Sequence, residues 1–377
     1  MRRILYTVFS TLLIIQSGLS QEHLPIIRAS SNTAYIREDN ILLTEDRWKI
    51  IPKVRPDIYE TSCKKITLYT DLDSITFKIK PKIGYYVDFI ILLNGDSAYS
   101  RIRYRISYLD KLKKAQEYNY SDKRFIPLFT YQSSDNPDLV RIRKEFRLDS
   151  VSGKGNEISR ILNVMNWVHN TVRHEDNEAP MLRNTSDIIK VCKTENRGVN
   201  CRMMAIILNE CYLALGFKSR YITCMPKETK FDDCHVLNMV YSNDLSKWIW
   251  IDPTFDAFVM NEQGELLGIN EVRERLIKGK TLIVNPQANW NRVMSYTKEK
   301  YLENYMAKNL YRLEAPLVSE FNAETWERGK EITYVELLPL GGYEQSPQKI
   351  EYVDENSGVK FTKYKTNNPN FFWTKPE

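Results

Sequence analysis

The sequence has little of several features that mark membrane, metal-binding or nucleic-acid-binding proteins. After residue 15 it contains no apolar run long enough to cross a bilayer, which takes about 20 residues. Its six cysteines show no C-x-x-C spacing, which argues against a structural zinc site. The net charge is only +6 over 377 residues, with both signs interleaved, and therefore indicates no nucleic-acid surface. Internal repeats and low-complexity tracts are also absent from the sequence.

The one long apolar run lies at the N-terminus. Arg2 and Arg3 give a basic start, residues 4–15 are mostly apolar, and small residues follow. This pattern predicts a secretory signal peptide over residues 1–20, cleaved near Ser20–Gln21. The alternative is a membrane anchor, but the run is short for one, and no cysteine follows it to carry a lipid. We therefore expect an exported protein, periplasmic or extracellular, without a transmembrane segment after cleavage.

Periodicity divides the rest of the chain into three parts. Residues 21–150 are predicted to hold an extended arm, 21–55, and a small antiparallel β domain with alternating apolar residues from Lys65 to Tyr108. Residues 151–285 begin with apolar residues at helical spacing and continue with a second helix and three strands. Residues 286–377 are rich in aromatic residues and are expected to pack onto the preceding part. The predicted fold class is α+β.

Three residues that could form an activated thiol occur in order. Cys201 stands where a loop turns into an apolar-periodic helix, predicted over residues 201–215 and ended by Gly216. His235 opens one strand-like run, and Asp252 closes the next. A helix N-terminus carries unpaired N–H groups and a partial positive charge, which would favour a thiolate and could bind the oxyanion formed when a carbonyl is attacked.

A hairpin can bring the histidine and the aspartate together. The two runs are separated by a polar turn segment, residues 242–245, and a pairing of Tyr241 with Ser246 would place His235 opposite Asp252. A slip of one residue would put them on opposite faces. In the favourable register Asp252 would hold the imidazole in one tautomer and stabilise the imidazolium, as the third member of a triad does.

Each of these residues also has an ordinary structural explanation. A cysteine at a helix start is usually a small buried residue or half of a disulfide, and disulfides are the default in an exported protein. If Cys201 is a thiolate, at most two bridges can form among the other five cysteines. A histidine at a strand end is usually structural, and Asp before Pro-Thr usually caps a turn. The remaining histidines, His23, His169 and His174, show no spacing that indicates a role.

The pattern around the three residues resembles the transglutaminase-like superfamily. The similar positions are Gly198-x-x-Cys201, the helix exit Leu213–Arg220, His235, and the run Trp250–Thr254. The resemblance covers about residues 155–285 and implies a papain-like core, in which a helix carries the cysteine and an antiparallel sheet carries the histidine and aspartate. It carries the catalytic triad over to Cys201, His235 and Asp252. The chain as a whole looks like an exported protein of Bacteroides-type bacteria.

The chain departs from this family next to two of the triad residues. Arg202 follows the cysteine, where many members have an aromatic or small residue, and Val236 and Leu237 follow the histidine. These departures leave the acyl donor open. The resemblance also implies a second oxyanion-hole donor beside the Cys201 backbone N–H, for which Asn200 and Trp167 are the candidates.

The expected reaction is attack of Cys201 on an amide or peptide carbonyl, followed by transfer of the thioester to water or an amine. We favour peptidase or amidase activity on a protein or peptide, and no motif implies a metal or organic cofactor. The alternative is a non-catalytic binding or scaffold module, which a disulfide from Cys201 to Cys192 or Cys211 would favour. A carbohydrate-processing accessory is a third possibility, because the chain has 23 Tyr and 7 Trp. The sequence does not indicate an oligomeric state.

Overall fold

The computed structural model of the chain describes most of the sequence beyond the N-terminus. The described residues are 24–39, 41–231, 233–341, 345–346 and 348–377, without the side chains of 41–47. The predicted signal peptide, residues 1–20, and His23 lie outside the described residues. Contacts divide the chain into two units between Ser107 and Tyr108.

The first unit consists of two sheets. Its strands are β1 (Ile26–Ala29), β2 (Thr33–Glu38), β3 (Ile41–Lys49), β4 (Asp57–Thr61), β5 (Lys65–Tyr69), β6 (Ser74–Lys78), β7 (Tyr86–Leu93) and β8 (Asp96–Tyr104). They form four-stranded sheets with the orders β1-β7-β8-β4 and β3-β2-β5-β6. Alternate residues of the strands, such as Ile36, Leu68 and Phe89, are buried in its core.

Two features of this unit differ from the sequence-based expectation. The segment predicted as an extended arm, residues 21–55, supplies the three strands β1, β2 and β3. Their alternating apolar residues are too few to distinguish a short strand from an extended arm. The unit is also not purely antiparallel, because β1 pairs with β7 and β4 pairs with β8 in parallel.

The second unit combines helices with a central sheet. Its α-helices are α1 (Tyr108–Lys113), α2 (Pro137–Glu145), α3 (Leu148–Ser152), α4 (Glu157–Thr171), α5 (Thr185–Thr194), α6 (Cys201–Ala214), α7 (Ile269–Lys278), α8 (Ala307–Asn309) and α9 (Pro369–Phe372), and a π-helical segment spans Glu299–Met306. Its strands are β9 (Thr130–Tyr131), β10 (Ser219–Met225), β11 (His235–Ser242), β12 (Lys247–Ile251), β13 (Val259–Met260), β14 (Ile283–Val284), β15 (Asn289–Trp290), β16 (Met294–Ser295), β17 (Arg312–Pro316), β18 (Val318–Ser319), β19 (Glu331–Leu337), β20 (Lys349–Val353) and β21 (Lys360–Thr366).

The unit boundary lies earlier than the domain boundary expected at residue 150. Residues 108–150 are rich in charge, but their helices contribute to the core of the second unit. Leu139, Ile142 and Leu148 are fully buried in the same cluster as Ile161 of α4. These few apolar residues have helical spacing and are enough to anchor α2 and α3.

A seven-stranded sheet forms the centre of the second unit. Its order is β12-β11-β10-β17-β19-β21-β20, and its pairs are antiparallel except for β19 with β21. The strands predicted after the helix, β10, β11 and β12, form one side of this sheet. The C-terminal region, residues 286–377, supplies the other four strands. Helices and sheet together give the mixed α and β class that the sequence predicts.

Helix α6 begins at Cys201, as predicted. Asn200 caps it, because its side-chain oxygen accepts the Met203 N–H at 3.1 Å. Gly216 follows its end with a φ of +84°, a conformation that glycine adopts without strain. Most side chains of α6 are buried, which explains why they are apolar on nearly every face. The helix packs on β11, where Asn238 Nδ2 donates to a helix carbonyl at 2.9 Å.

The register of the β11–β12 hairpin differs from the predicted register by two residues. Ser242 pairs with Lys247, whereas the sequence suggested Tyr241 with Ser246. Ser246 has a φ of +52° and belongs to the turn, which lengthens the connection. The predicted histidine and aspartate are therefore not directly opposite each other. A shift of two residues preserves the face of every side chain, so both still lie on the same side of the sheet.

Candidate active site

The loop before α6 is held against the segment that contains His174. The Val199 N–H donates to the Arg173 carbonyl at 3.0 Å, and Val199 pairs with His174 in an isolated parallel bridge. This approach requires Gly198, because a Cβ there would lie 2.5 Å from the Arg173 carbonyl oxygen. The close contact of the two segments brings His174 to the start of the helix that carries Cys201.

His235 and Asp252 form a buried hydrogen-bonded pair. Nε2 of His235 lies 2.6 Å from Oδ2 of Asp252, and the two side chains are 1% and 0% exposed. The other carboxylate oxygen accepts the Thr254 N–H at 2.9 Å. The Tyr301 hydroxyl donates to Oδ2 and itself accepts the Trp250 indole N–H at 3.0 Å. The carboxylate is thus fixed on both oxygens, and it holds the His235 ring with the Nε2 proton facing it.

The thiol of Cys201 interacts with two histidines, His174 and His235, and both interactions favour its charged form. Because Nε2 of His235 faces Asp252, Nδ1 is the ring nitrogen left for the thiol. The Tyr305 hydroxyl lies 3.5 Å from the same Nδ1. Cys201 as a residue is partly exposed, whereas His235 is buried.

The charges of the site favour a thiolate and an imidazolium. Burial would raise the pKa of the Cys201 thiol, but its interactions with His174 and His235 lower it from 9.0 to about 6. Burial would lower the pKa of His235, but the Asp252 carboxylate and the Cys201 thiol raise it from 6.5 to about 10. Between these values the proton rests on the imidazole and the sulfur is charged.

The other cysteines are much weaker acids. Burial raises the pKa of Cys63 to about 12 and that of Cys234 to about 11. Burial also raises the pKa of the remaining thiols, Cys192, Cys211 and Cys224. Cys201 is therefore the one cysteine whose surroundings lower its pKa below the ordinary value.

All six cysteines are free thiols, so the disulfides expected of an exported protein are absent. For Cys201 and Cys211 the reason is geometric. They stand on one helix, ten residues apart, and such a separation spans about 15 Å. A disulfide joins Cα atoms no more than about 7 Å apart. The alternative that a bridge blocks Cys201 therefore finds no support.

The two predicted oxyanion-hole residues lie on different elements. The side-chain oxygen of Asn200 serves as the cap of α6 and accepts the Met203 N–H. Trp167 lies on α4, where its ring packs against Phe146 with centroids 5.8 Å apart. These contacts do not test binding of an oxyanion, and the role of both residues stays a prediction.

Arg202 follows Cys201, at a position where the chain departs from the transglutaminase-like pattern. Its ion pair connects α6 to the C-terminal region. Its Nη1 lies 2.6 Å from the buried Glu324 carboxylate, and its Nη2 donates to Thr223 at 2.9 Å. Glu324 also accepts hydrogen bonds from the hydroxyls of Tyr221 and Tyr334. The guanidinium charge is thus neutralised within the fold.

Sequence reasoning missed the aromatic and histidine residues that surround the triad. His174 stood in a polar loop, and no spacing linked it to Cys201. Tyr301 and Tyr305 are four residues apart in a helical segment and both contact the His235–Asp252 pair, so this spacing was the available signal. His169, whose spacing in the sequence indicates no role, is buried, with one ring nitrogen 3.0 Å from the Pro253 carbonyl.

Neither a metal-binding group nor a membrane-spanning helix occurs in the described ranges of the chain. Among those residues, His, Cys, Asp and Glu side chains do not form a group of three or more placed to hold a metal ion. In the same part of the chain, every helix is too short or too polar to cross a membrane.

The region that contains Cys201, His235 and Asp252 is similar to a known family. Residues 144–253 match the Transglutaminase-like superfamily. The match covers less than a third of the chain. It extends from the end of α2 to Pro253 and includes all three predicted triad residues. The transglutaminase-like resemblance seen in the sequence is therefore confirmed for this region, whereas a Bacteroides-type source is not.

Solved structures that are similar to parts of the chain include the following two, and no curated protein matches it. One is a candidate cysteine protease from Cytophaga hutchinsonii, 22% identical, with 30% of this chain and 37% of that one covered and a TM-score of 0.25. The other is red sea bream transglutaminase, 11% identical, with 66% and 52% covered and a TM-score of 0.23. The chain thus spans less than two thirds of either structure, and similarity at this level carries no conclusion about function.

Proposed function

We propose that the protein is an exported thiol enzyme that acts on amide or peptide bonds through Cys201, His235 and Asp252. The observation that carries the proposal is the buried hydrogen bond between His235 and the Asp252 carboxylate, beside a Cys201 thiol whose charged form His235 favours. The position of Cys201 at the start of α6 adds the partial positive charge of a helix N-terminus. The transglutaminase-like match supports the same class of reaction.

In the first half of the reaction the Cys201 thiolate attacks the substrate carbonyl carbon. A C–S bond forms, the π electrons of the carbonyl move to its oxygen, and the N–H groups at the start of α6 stabilise this oxyanion. When the oxygen lone pair returns, the C–N bond breaks, and His235 gives its Nδ1 proton to the leaving nitrogen. The products are an amine and a thioester on Cys201.

In the second half a nucleophile releases the acyl group. His235, now neutral, takes a proton from water or an amine as that molecule attacks the thioester. Asp252 stabilises the imidazolium that results. Water gives a carboxylic acid and an amine gives a new amide, and in both cases the Cys201 thiolate is restored. We favour water as the acceptor, so the protein would act as a peptidase or amidase without a metal or organic cofactor.

A substrate assay with two product readouts tests the proposal. The purified mature protein is incubated with an unstructured protein such as casein, and new N-termini report hydrolysis while incorporation of a fluorescent primary amine reports transfer. We expect wild type and the control Cys192→Ala to be active and Cys201→Ala to be inactive. Activity of Cys201→Ala equal to wild type would contradict the proposal. Inactivity of all three proteins would favour the alternative, a non-catalytic binding or scaffold module.

A further inference from the structure

A second histidine, His174, is bridged to Val199 just before α6 and is held there by neighbouring groups. Its backbone N–H donates to the Asn291 side-chain oxygen at 2.8 Å, and the Asn291 amide donates back to the His174 carbonyl at 2.9 Å. The Trp290 indole N–H donates to the ring Nδ1 at 3.2 Å. The imidazole is only 16% exposed. These contacts to its backbone and its ring hold His174 in one orientation.

The contact with Trp290 fixes which nitrogen of His174 carries the proton. An indole N–H can only donate, so Nδ1 of His174 must accept with its lone pair. In the neutral ring the proton is then on Nε2. Because His174 is bridged to Val199 at the start of α6 and favours the charged form of the Cys201 thiol, the group that its ring can offer to a thiolate is the Nε2–H donor.

We infer that His174 is a second catalytic histidine, which donates its Nε2–H to the Cys201 thiolate before attack and to the oxyanion after attack. The inference rests on the proposed function of Cys201. When the C–S bond forms, the sulfur loses its charge and the neighbouring oxygen gains one. That oxygen is bonded to the carbon attached to the sulfur, so a donor at the sulfur is close to it. No proton leaves His174 in this step.

The two histidines therefore have different roles. His235 has the Asp252 carboxylate at Nε2 and moves protons through Nδ1, whereas the Nδ1 of His174 is occupied by Trp290 and cannot serve as a base. Other titratable groups also act on the thiol or on His174. They are Cys224, Cys234 and Tyr305, which interact with the Cys201 charge, and the exposed Asp176, whose carboxylate is 4.0 Å from His174 Nε2.

The pH dependence of Cys201 alkylation tests the donor without a substrate. Iodoacetamide labelling of Cys201 is followed by mass spectrometry in wild type, His174→Ala, His174→Gln and Trp290→Phe. We expect His174→Ala to raise the apparent pKa of the thiol by about one unit, or tenfold in thiolate at low pH, because a charge-assisted hydrogen bond is lost. His174→Gln should restore much of the shift, since its amide N–H can replace Nε2–H. Trp326→Phe, at an exposed ring that packs against Phe361, is the control and should match wild type.

Turnover in the substrate assay tests the oxyanion contact. His174→Ala should lower kcat by roughly 10²-fold, as expected for one lost oxyanion donor, while KM stays within about threefold. Trp290→Phe should lower kcat less, because the His174 ring remains, although either of its nitrogens can then carry the proton. Should His174→Ala fail to fold, His174→Gln and Trp290→Phe still give both readouts. If His174→Ala folds and the pKa of its Cys201 thiol is unchanged, the inference is overturned. If His174→Ala does not fold, an unchanged thiol pKa in Trp290→Phe overturns it. An unreactive Cys201 in wild type would instead overturn the proposed function.

Discussion

Asp252 is a charged residue with no exposed surface, and its hydrogen bonds orient His235. Its Oδ1 accepts the Thr254 N–H and its Oδ2 accepts the Tyr301 hydroxyl. A buried carboxylate is costly unless it is hydrogen-bonded and paired, and these contacts with the His235 imidazolium meet both conditions. The residue therefore combines a structural task, holding the turn after β12, with an electrostatic one.

Asp252→Asn should lower turnover strongly but less than Cys201→Ala. The amide can no longer balance an imidazolium, and by analogy with an orienting aspartate the loss is roughly up to 10⁴-fold. Cys201→Ala removes the thioester route altogether. The fold should survive, since Asn has nearly the shape of Asp and can still accept the Thr254 N–H. The substrate assay and thermal melts of both variants provide the check. Unfolding of Asp252→Asn, or undiminished activity, would mean that Asp252 is only a turn residue.

The positions of Cys201, His235 and Asp252 at the ends of a helix and two strands were predictable, because the sequence marks each of these boundaries. The helix start, the strand start and the Asp-Pro-Thr turn are local patterns. His174 and Trp290 were not predictable, because they meet through a bridge and a loop that are distant in sequence and have no periodic pattern. Their contact depends on the close approach at Gly198, which only the folded chain reveals.

Helix α6 and the β11–β12 hairpin are the elements that position the site. The hydrogen bond from Met203 N–H to Asn200 fixes the first turn of α6, where Cys201 stands. The hairpin turn is fixed by Glu157 of α4, whose carboxylate accepts the backbone N–H groups of Asn243 and Asp244 at 3.0 Å each. Helix α4 thus also fixes the turn between strands β11 and β12.

Removing the cap of α6 should affect both stability and thiol reactivity. Asn200→Ala should lower the free energy of unfolding by about 1 kcal/mol and slow Cys201 alkylation at neutral pH, because the first turn frays. Asn156→Ala is the matched control, since Asn156 caps α4 by accepting the Ser159 N–H at 2.8 Å. It should cost about as much stability without changing the reactivity of Cys201. Urea denaturation and alkylation rates measure the two effects. Equal alkylation rates in both variants would refute a role for the helix start in thiolate formation.

The start of α6 was predicted, and its end to within one residue, whereas the hairpin register was not. Apolar periodicity marks where an element begins and ends. Register depends on the turn conformation, and the positive φ of Ser246 is unusual for a serine. This turn is stabilised by backbone N–H groups that donate to the Glu157 carboxylate. Glu157 lies 86 residues before Asn243 in the chain, so no local pattern could reveal these hydrogen bonds.

In the second unit, the C-terminal segment that contains Phe372 packs against the buried Arg220. Arg220 on β10 is fully buried, and its guanidinium lies 4.0 Å from the ring centroid of Phe129, 4.7 Å from that of Trp248 and 5.1 Å from that of Phe372. It also donates to the Phe372 carbonyl. Burial lowers the pKa of Arg220, and the aromatic faces and the carbonyl stabilise its charge. The sequence indicated that the last aromatic residues pack back, but not that they surround a cation.

Two neighbouring phenylalanines offer a matched test of this closure. Phe372 is 0% exposed and Phe371 is 38% exposed. Phe372→Ala should lower the free energy of unfolding by about 3–5 kcal/mol, because it leaves a cavity beside Arg220. Phe371→Ala should change it by no more than about 0.5 kcal/mol. Urea unfolding followed by circular dichroism measures both, and equal losses would show that the segment does not stabilise the unit.

The central claim is that Cys201 is an activated thiol paired with His235 and Asp252. The most direct test is the rate of iodoacetamide labelling at each of the six cysteines of the wild-type protein as a function of pH. The lowered pKa of Cys201 predicts that its labelling rises with a midpoint near pH 6, while the other five cysteines label slowly until the solution is clearly alkaline. A Cys201 midpoint at or above that of an ordinary thiol, about 8.5, would contradict the account.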